Sequence, residues 1–181
     1  PIADGLNAAQ MLQPGALKAV LLLNNEPEFD TADGAAARAA LGSAEMVVTL
    51  SPFKTNLDIS DVLLPISPFT ETAGTFVNTE GRAQSFHGVV RPLGETRPAW
   101  KVLRVLGSML GLPGFDQETL EQVRAQALPQ DVASRLSNAC SAWIDVNPVN
   151  GQPASASIYQ LDGLVRRAAS LQLTADAKGG A

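Results

Sequence analysis

With one cysteine, one histidine and one tyrosine among 181 residues, the chain lacks most of the side chains from which metal sites and activated nucleophiles are built. An iron–sulfur cluster needs several cysteine thiolates, so Cys140 alone holds none, and it can close no internal disulfide. That cysteine usage fits a reducing cytoplasm. With no base or C-x-x-C partner near it in sequence, Cys140 reads as a small buried apolar residue rather than a reactive thiol. His87 completes no metal-ligand spacing and reads as a surface or hairpin-end histidine. No G-x-G-x-x-G follows a strand and no G-x-x-x-x-G-K-[ST] occurs, which removes support for a dinucleotide fingerprint or a P-loop. Basic residues are scarce too: 13 Lys and Arg against 18 Asp and Glu leave a formal net charge of −5, and the cations are dispersed. Phosphate binding by nucleic-acid proteins draws on clustered cations, so no nucleic-acid partner is expected. The longest apolar run, Ala19 to Leu23 with its neighbours, falls far short of the ~20 residues of a membrane-spanning helix. No charged segment followed by an apolar core opens the chain, and it begins at Pro1 rather than Met, as expected of an excised piece of a longer polypeptide.

What is present alternates strand with helix. Leu17 to Leu23 reads as a buried strand, and a helix starts at Thr31-Ala32-Asp33 and runs through Leu41 to a stop at Gly42. Met46 to Leu50 is a second strand, Asn56 to Ser60 a connection, and Val62 to Leu64 a third strand, its short apolar run suggesting cover on both faces. Near-continuous apolar strands separated by a helix predict parallel pairing with right-handed crossovers, hence a doubly wound α/β sheet with flanking helices. Pro98 opens a helix whose Ala99, Leu103, Leu106 and Leu110 recur at helical spacing, ended by Gly111 and Pro113. Asp116 is predicted to cap a helix over Gln117 to Ala127, and a further helix covers Asp131 to Cys140. Asn147 to Ser157, with Pro148, Gly151 and Pro153, reads as a loop, and a tail helix begins near Asp162. Two parts are expected: an α/β domain over residues 1–112 and a helical, irregular extension over residues 113–181.

The densest signal is Asp61 to Gln84, DVLLPISPFTETAGTFVNTEGRAQ. A strand stopped by Pro65 leads into the polar turn Glu71-Thr72-Ala73-Gly74. Thr75-Phe76-Val77 and Arg82 to Phe86 then flank Asn78-Thr79-Glu80-Gly81, where Gly81 is placed for the left-handed conformation that closes a hairpin loop. Open α/β sheets bind ligands beyond the carboxyl ends of their strands. The loops there are Asn24-Asn25-Glu26, Ser51-Pro52-Phe53 and Thr70-Glu71-Thr72, and they carry acids with no basic clamp for a pyrophosphate.

The pattern Asp61-Val62-Leu63-Leu64-Pro65, Glu71, Gly74-Thr75, Asn78, Glu80-Gly81-Arg82 and Gln84 resembles the molybdopterin oxidoreductase superfamily. Within it, the likeness is to the family of large iron–sulfur subunits of respiratory complex I, the bacterial NADH:quinone oxidoreductase. The tail Ile158-Tyr159-Gln160-Leu161-Asp162-Gly163-Leu164-Val165-Arg166-Arg167-Ala168-Ala169-Ser170-Leu171 looks like the closing signature of those subunits.

The resemblance implies a molybdopterin-oxidoreductase-like domain acting as a non-catalytic scaffold in the peripheral arm, at the cytoplasmic side of the inner membrane. It implies no metal or cofactor in this stretch, iron–sulfur clusters only upstream, and as partners the rest of the same subunit and other peripheral-arm subunits. Asn24, Asn25, Glu26, Ser51, Glu71 and Thr72 would then line a vestigial crevice. Asn78, Glu80, Gly81 and Arg82 would form a docking hairpin, Arg82 and Glu71 reaching preceding domains, against the plainer reading of turn chemistry. Two alternatives stand beside this: the cofactor-binding segment of a molybdopterin enzyme such as a formate dehydrogenase, and a small-molecule-binding α/β module. Arg97, Lys101 and Arg104 read as the wet side of a helix and Arg166-Arg167 similarly, although Val165, Leu171 and Leu173 suggest that the tail packs on the domain or into a neighbour.

Overall fold

A computed structural model describes residues 5–128 and 158–179. The expected helix at Asp131 to Cys140, and Cys140 itself, lie outside the described residues, as does the loop at 147–157. The chain divides into two compact units, Pro1–Leu64 with Pro148–Ala181, and Pro65–Asn147.

In the first unit, α1 (Ala8–Met11) precedes strand β1 (Ala19–Leu23), the short helix α2 (Pro27–Asp30), α3 (Gly34–Gly42) and β2 (Met46–Ser51), with β3 (Val62–Pro65) closing the sheet. The sheet order is β1-β2-β3, and β1 runs parallel to β2 in a register pairing Ala19 with Met46 and Leu23 with Leu50. Helix α3 forms the crossover: the Asp33 carboxylate accepts the Ala36 N–H at 2.9 Å, and Ala37, Ala40 and Leu41 sit at the i, i+3, i+4 spacing of one buried stripe. Leu22, Leu41 and Val47 form the core, with Val20, Ala44 and Ile59 packed around it.

Among the described residues, only the central strand β2 is covered on both faces. Val47, Thr49, Leu50 and Ser51 of β2 are buried, whereas Leu21 and Leu23 of β1 are 43% and 44% exposed and Val62 of β3 is 40% exposed. The expectation of doubly covered outer strands is therefore corrected: in the order β1-β2-β3 the two outer strands are edges among the described residues, and each is shielded less completely than β2. Thr49, fully buried, satisfies its hydroxyl on Ser60 Oγ at 2.7 Å. Asp61, first residue of the dense motif, has a structural role here. Its carboxylate accepts the Val47 N–H at 2.7 Å while its own N–H donates to the Val47 carbonyl at 2.9 Å, pinning the start of β3 to β2.

The tail returns to this unit as α6 (Gly163–Arg166), α7 (Ala169–Gln172) and α8 (Ala175–Gly179). Asp162 caps α6, accepting the N–H groups of Leu164 and Val165, but the continuous tail helix expected from there is broken into three short pieces. Gln172 of α7 ties back to α6 and the turn before it, donating to the carbonyls of Val165 at 2.8 Å and Tyr159 at 3.1 Å.

The second unit carries the antiparallel hairpin β4 (Gly74–Val77) and β5 (Ala83–Phe86), then α4 (Ala99–Met109) and α5 (Leu120–Ala127). Phe76 stacks on Phe86 at 4.8 Å and meets Phe69 edge-on at 6.5 Å. A Cβ on Gly74 would lie 2.6 Å from Phe86 Cζ, so that ring requires glycine at the start of β4. Helix α4 ends where Gly111 takes φ +67°, and Phe115 covers Gly107. The cap of α5 differs from expectation. Thr119, not Asp116, accepts the Gln122 N–H, and Gln122 reaches back to the Thr119 N–H, because T-x-x-Q satisfies two orphan donors where a lone Asp satisfies one. Glu121 beside it is held below the usual carboxylate range, first by a backbone N–H and then by the Thr119 hydroxyl.

Among the described residues no helix is long and apolar enough to cross a membrane, and no group of three or more His, Cys, Asp or Glu could hold a metal ion.

Candidate functional site

Parallel strands put the carboxyl ends of β1 and β2 at one edge of the first unit. Asn24 follows β1 at φ +48° with its N–H on the Leu50 carbonyl at 2.8 Å, and Asn56, at φ +55°, donates its side-chain N–H to the Asn25 carbonyl at 2.9 Å. Asparagine tolerates this left-handed region better than other non-glycine residues. The two loops are thereby tied together. Ser51, buried at the end of β2, accepts the Phe53 N–H at 3.1 Å, and Phe53 itself is half-buried.

Glu26 sits at the centre, its side chain 11% exposed. A carboxylate so far from water needs a partner, and it finds two in the tail: Arg167 Nη1 at 2.8 Å and Arg166 Nη1 at 3.4 Å. Arg166 also bonds Asp30 and donates through Nε to the Gln160 carbonyl. Asp30 in turn accepts the Glu26 N–H at 2.7 Å. Each guanidinium lies over an aromatic ring, Arg166 4.7 Å from the centre of Phe29 and Arg167 4.0 Å from that of Phe53. The result is two cations and two carboxylates with cation–π contacts on both cations, a contact worth ~0.5–2 kcal/mol depending on exposure.

The wet-face reading of Arg166 is corrected by this arrangement, since its side chain is 6% exposed and that of Arg167 32%. The partners lie 136 and 141 positions apart, so no local periodicity could reveal them. The available signals were the adjacent pair of arginines in the tail and the acidic, aromatic string Glu26-Pro27-Glu28-Phe29-Asp30.

Of the predicted crevice residues, Asn24, Asn25, Glu26 and Ser51 are thus gathered in the first unit, and Glu71 and Thr72 belong to the second. There the Glu71 carboxylate accepts the Leu93 N–H at 2.9 Å, and Thr72 Oγ1 donates to the Ala73 carbonyl at 3.2 Å. In the hairpin, Asn78 Oδ1 accepts the N–H groups of Glu80 at 3.1 Å and Arg82 at 2.9 Å, and Gly81 takes φ +78°. Glu80 and Arg82 are exposed. His87, just past β5, is exposed as well. Arg97, just before α4, and Lys101 on it line a cavity of about 610 Å³ shared with Trp100, Gln117 and Glu118. Arg104 lines the same cavity, but its Nε is buried without a partner among the described residues, so it is not simply the wet side of a helix.

The sequence model of the molybdopterin oxidoreductase family matches residues 1–109. The chain belongs to that family. Among its relatives, the mitochondrial 78 kDa subunit of NADH-ubiquinone oxidoreductase from Candida albicans is 35% identical over 107 residues, 56% of this chain and 15% of the relative. A Staphylococcus aureus protein named "Putative formate dehydrogenase" is 39% identical over 75 residues, 41% of this chain and 8% of its own length. The chain therefore spans only a small part of the curated relatives it matches. In fold it is similar to acetylene hydratase from Pelobacter acetylenicus, with a TM-score of 0.52 and 24% identity over 59% of this chain and 15% of that one. The family assignment and the α/β fold agree with the sequence resemblance.

Proposed function

We propose that this chain is part of the large iron–sulfur subunit of a respiratory complex I and acts there as a non-catalytic scaffold, held peripherally at the cytoplasmic face of the inner membrane by the rest of its subunit and by other peripheral-arm subunits. The observation that carries this reading is the reach of the likeness to the 78 kDa subunit, 107 residues against 75 for the staphylococcal relative. The tail signature from Ile158 to Leu171 adds to it. A second reading is supported by the higher local identity of the staphylococcal protein, 39% against 35%: the cofactor-proximal segment of a formate-oxidising molybdopterin enzyme.

In the scaffold reading, the exposed Arg82 at the exit of the Asn78 to Gly81 turn docks onto a preceding domain, and Glu71, whose carboxylate also accepts the Leu93 N–H, is its expected companion there. Exposed charges within one domain are worth only ~0–1 kcal/mol, whereas an interface pair desolvated on assembly can matter far more. The experiment is to tag the native gene product in its own host, extract membranes gently and test what co-purifies. An assembly that oxidises NADH and reduces quinone supports the scaffold. Recovery of a formate-oxidising protein free of NADH:quinone activity establishes the second reading instead.

A further inference from the structure

The family name implies a molybdopterin, and the strand-end edge of an α/β sheet is the natural place for the phosphate-bearing part of such a group. The residues there do not fit one. A phosphate or pyrophosphate is recognised by guanidinium forks and backbone N–H groups facing an open site. At this edge the two forks are already spent on Glu26 and Asp30, and the four charges sum to zero. An anion entering between the β1 and β2 loops would meet the buried Glu26 carboxylate and would have to displace Arg167 from it.

We propose that this edge is a socket for a dibasic peptide segment, and that its occupant is the chain's own Arg166-Arg167 in place of a cofactor. The socket has two parts. Glu26 and Asp30 supply the charge, and Phe29 and Phe53 supply flat faces 4.7 and 4.0 Å from the two guanidinium groups. Planar, forked cations suit both parts at once, which selects arginine over lysine. Gly163 brings the tail close: a Cβ there would stand 3.4 Å from Glu26 Oε1 and 3.9 Å from the Phe53 ring. Arg167 also donates to the Gly163 carbonyl at 2.7 Å, holding its side chain aimed at Glu26. The scaffold reading requires only that no cofactor be used, whereas the socket names what fills the place. That the tail stands in place of a cofactor rests on the scaffold reading, whereas the docking of the tail is tested on the chain itself, whatever the native gene product assembles with.

Limited trypsin digestion of the full chain tests it, because trypsin must draw the arginine side chain into its own pocket to cleave. Release of the peptides that begin at Arg167 or Ala168 should be slow in the wild type. The same release should be on the order of tenfold faster in Glu26→Gln/Asp30→Asn, whose neutral side chains keep the shape of the socket but not its charge. Phe53→Leu, which leaves every carboxylate in place, should accelerate it by a smaller factor and guards against misfolding of the double variant. Titration with inorganic pyrophosphate should show no binding and leave the wild-type rate unchanged. Equal cleavage rates in wild type and variants would overturn the proposal, as would pyrophosphate binding that disappears in Arg167→Ala.

Discussion

Replacing Arg166 by Met keeps much of the side chain's length and apolar stem while removing its charge, its fork and its stack on Phe29. Breaking one side of a buried ion pair costs about 3–5 kcal/mol when the partner is left alone in the interior. Here the loss is smaller. Glu26 keeps Arg167 at 2.8 Å, and Asp30, its side chain 26% exposed, can recover water. Methionine also retains part of the contact with the ring. About 2–3 kcal/mol is therefore expected, and at ~2–4 °C per kcal/mol for a chain of this size the melting temperature should fall by roughly 4–12 °C. Calorimetry of wild type, Arg166→Met, Glu26→Gln and the double variant completes a cycle. The two single losses should not add, because each removes the same contact, and the coupling should be about 1–2 kcal/mol. A melting temperature unchanged by Arg166→Met, or strictly additive losses, would refute the claim that the tail is locked to the first unit by this pair.

Three further outcomes follow from the second unit. Gly81→Ala forces a side chain onto φ +78° and should cost roughly 1 kcal/mol or more, seen as a lower midpoint in thermal denaturation. Gly74→Ala places a Cβ 2.6 Å from the Phe86 ring and should cost about 1–3 kcal/mol, a loss that Phe86→Leu in the same chain should partly relieve in the same assay. Arg82→Ala, at an exposed side chain, should shift the stability of the chain by no more than ~0.5 kcal/mol. In the native gene product it should lower the yield of assembled complex, measured by native gel electrophoresis.

The sheet and hairpin were legible in the sequence because their determinants are local. Apolar strands of four to six residues, an Asp33 cap before an alanine-rich helix and a glycine after Asn78 each signal through neighbours a few positions away. Edge exposure of β1 and β3 was not legible, since an apolar run looks the same whether or not a further layer covers it. The cap of α5 was misplaced because Asp116 and Thr119 both have capping side chains, and only the reciprocal bond with Gln122 distinguishes them. The tail socket was hidden for a different reason. Glu26 is an acid in a strand-end loop and Arg166 a cation in a terminal helix, and only the folded chain places them together. Each alone reads as a solvated surface charge.

Metal content of the intact native gene product tests the scaffold account most directly, by quantifying iron and molybdenum per polypeptide after purification from its own host without reconstitution. The account predicts iron, contributed by clusters outside this chain, and molybdenum at background. Molybdenum near one atom per polypeptide would contradict it and establish a cofactor-bearing oxidoreductase instead.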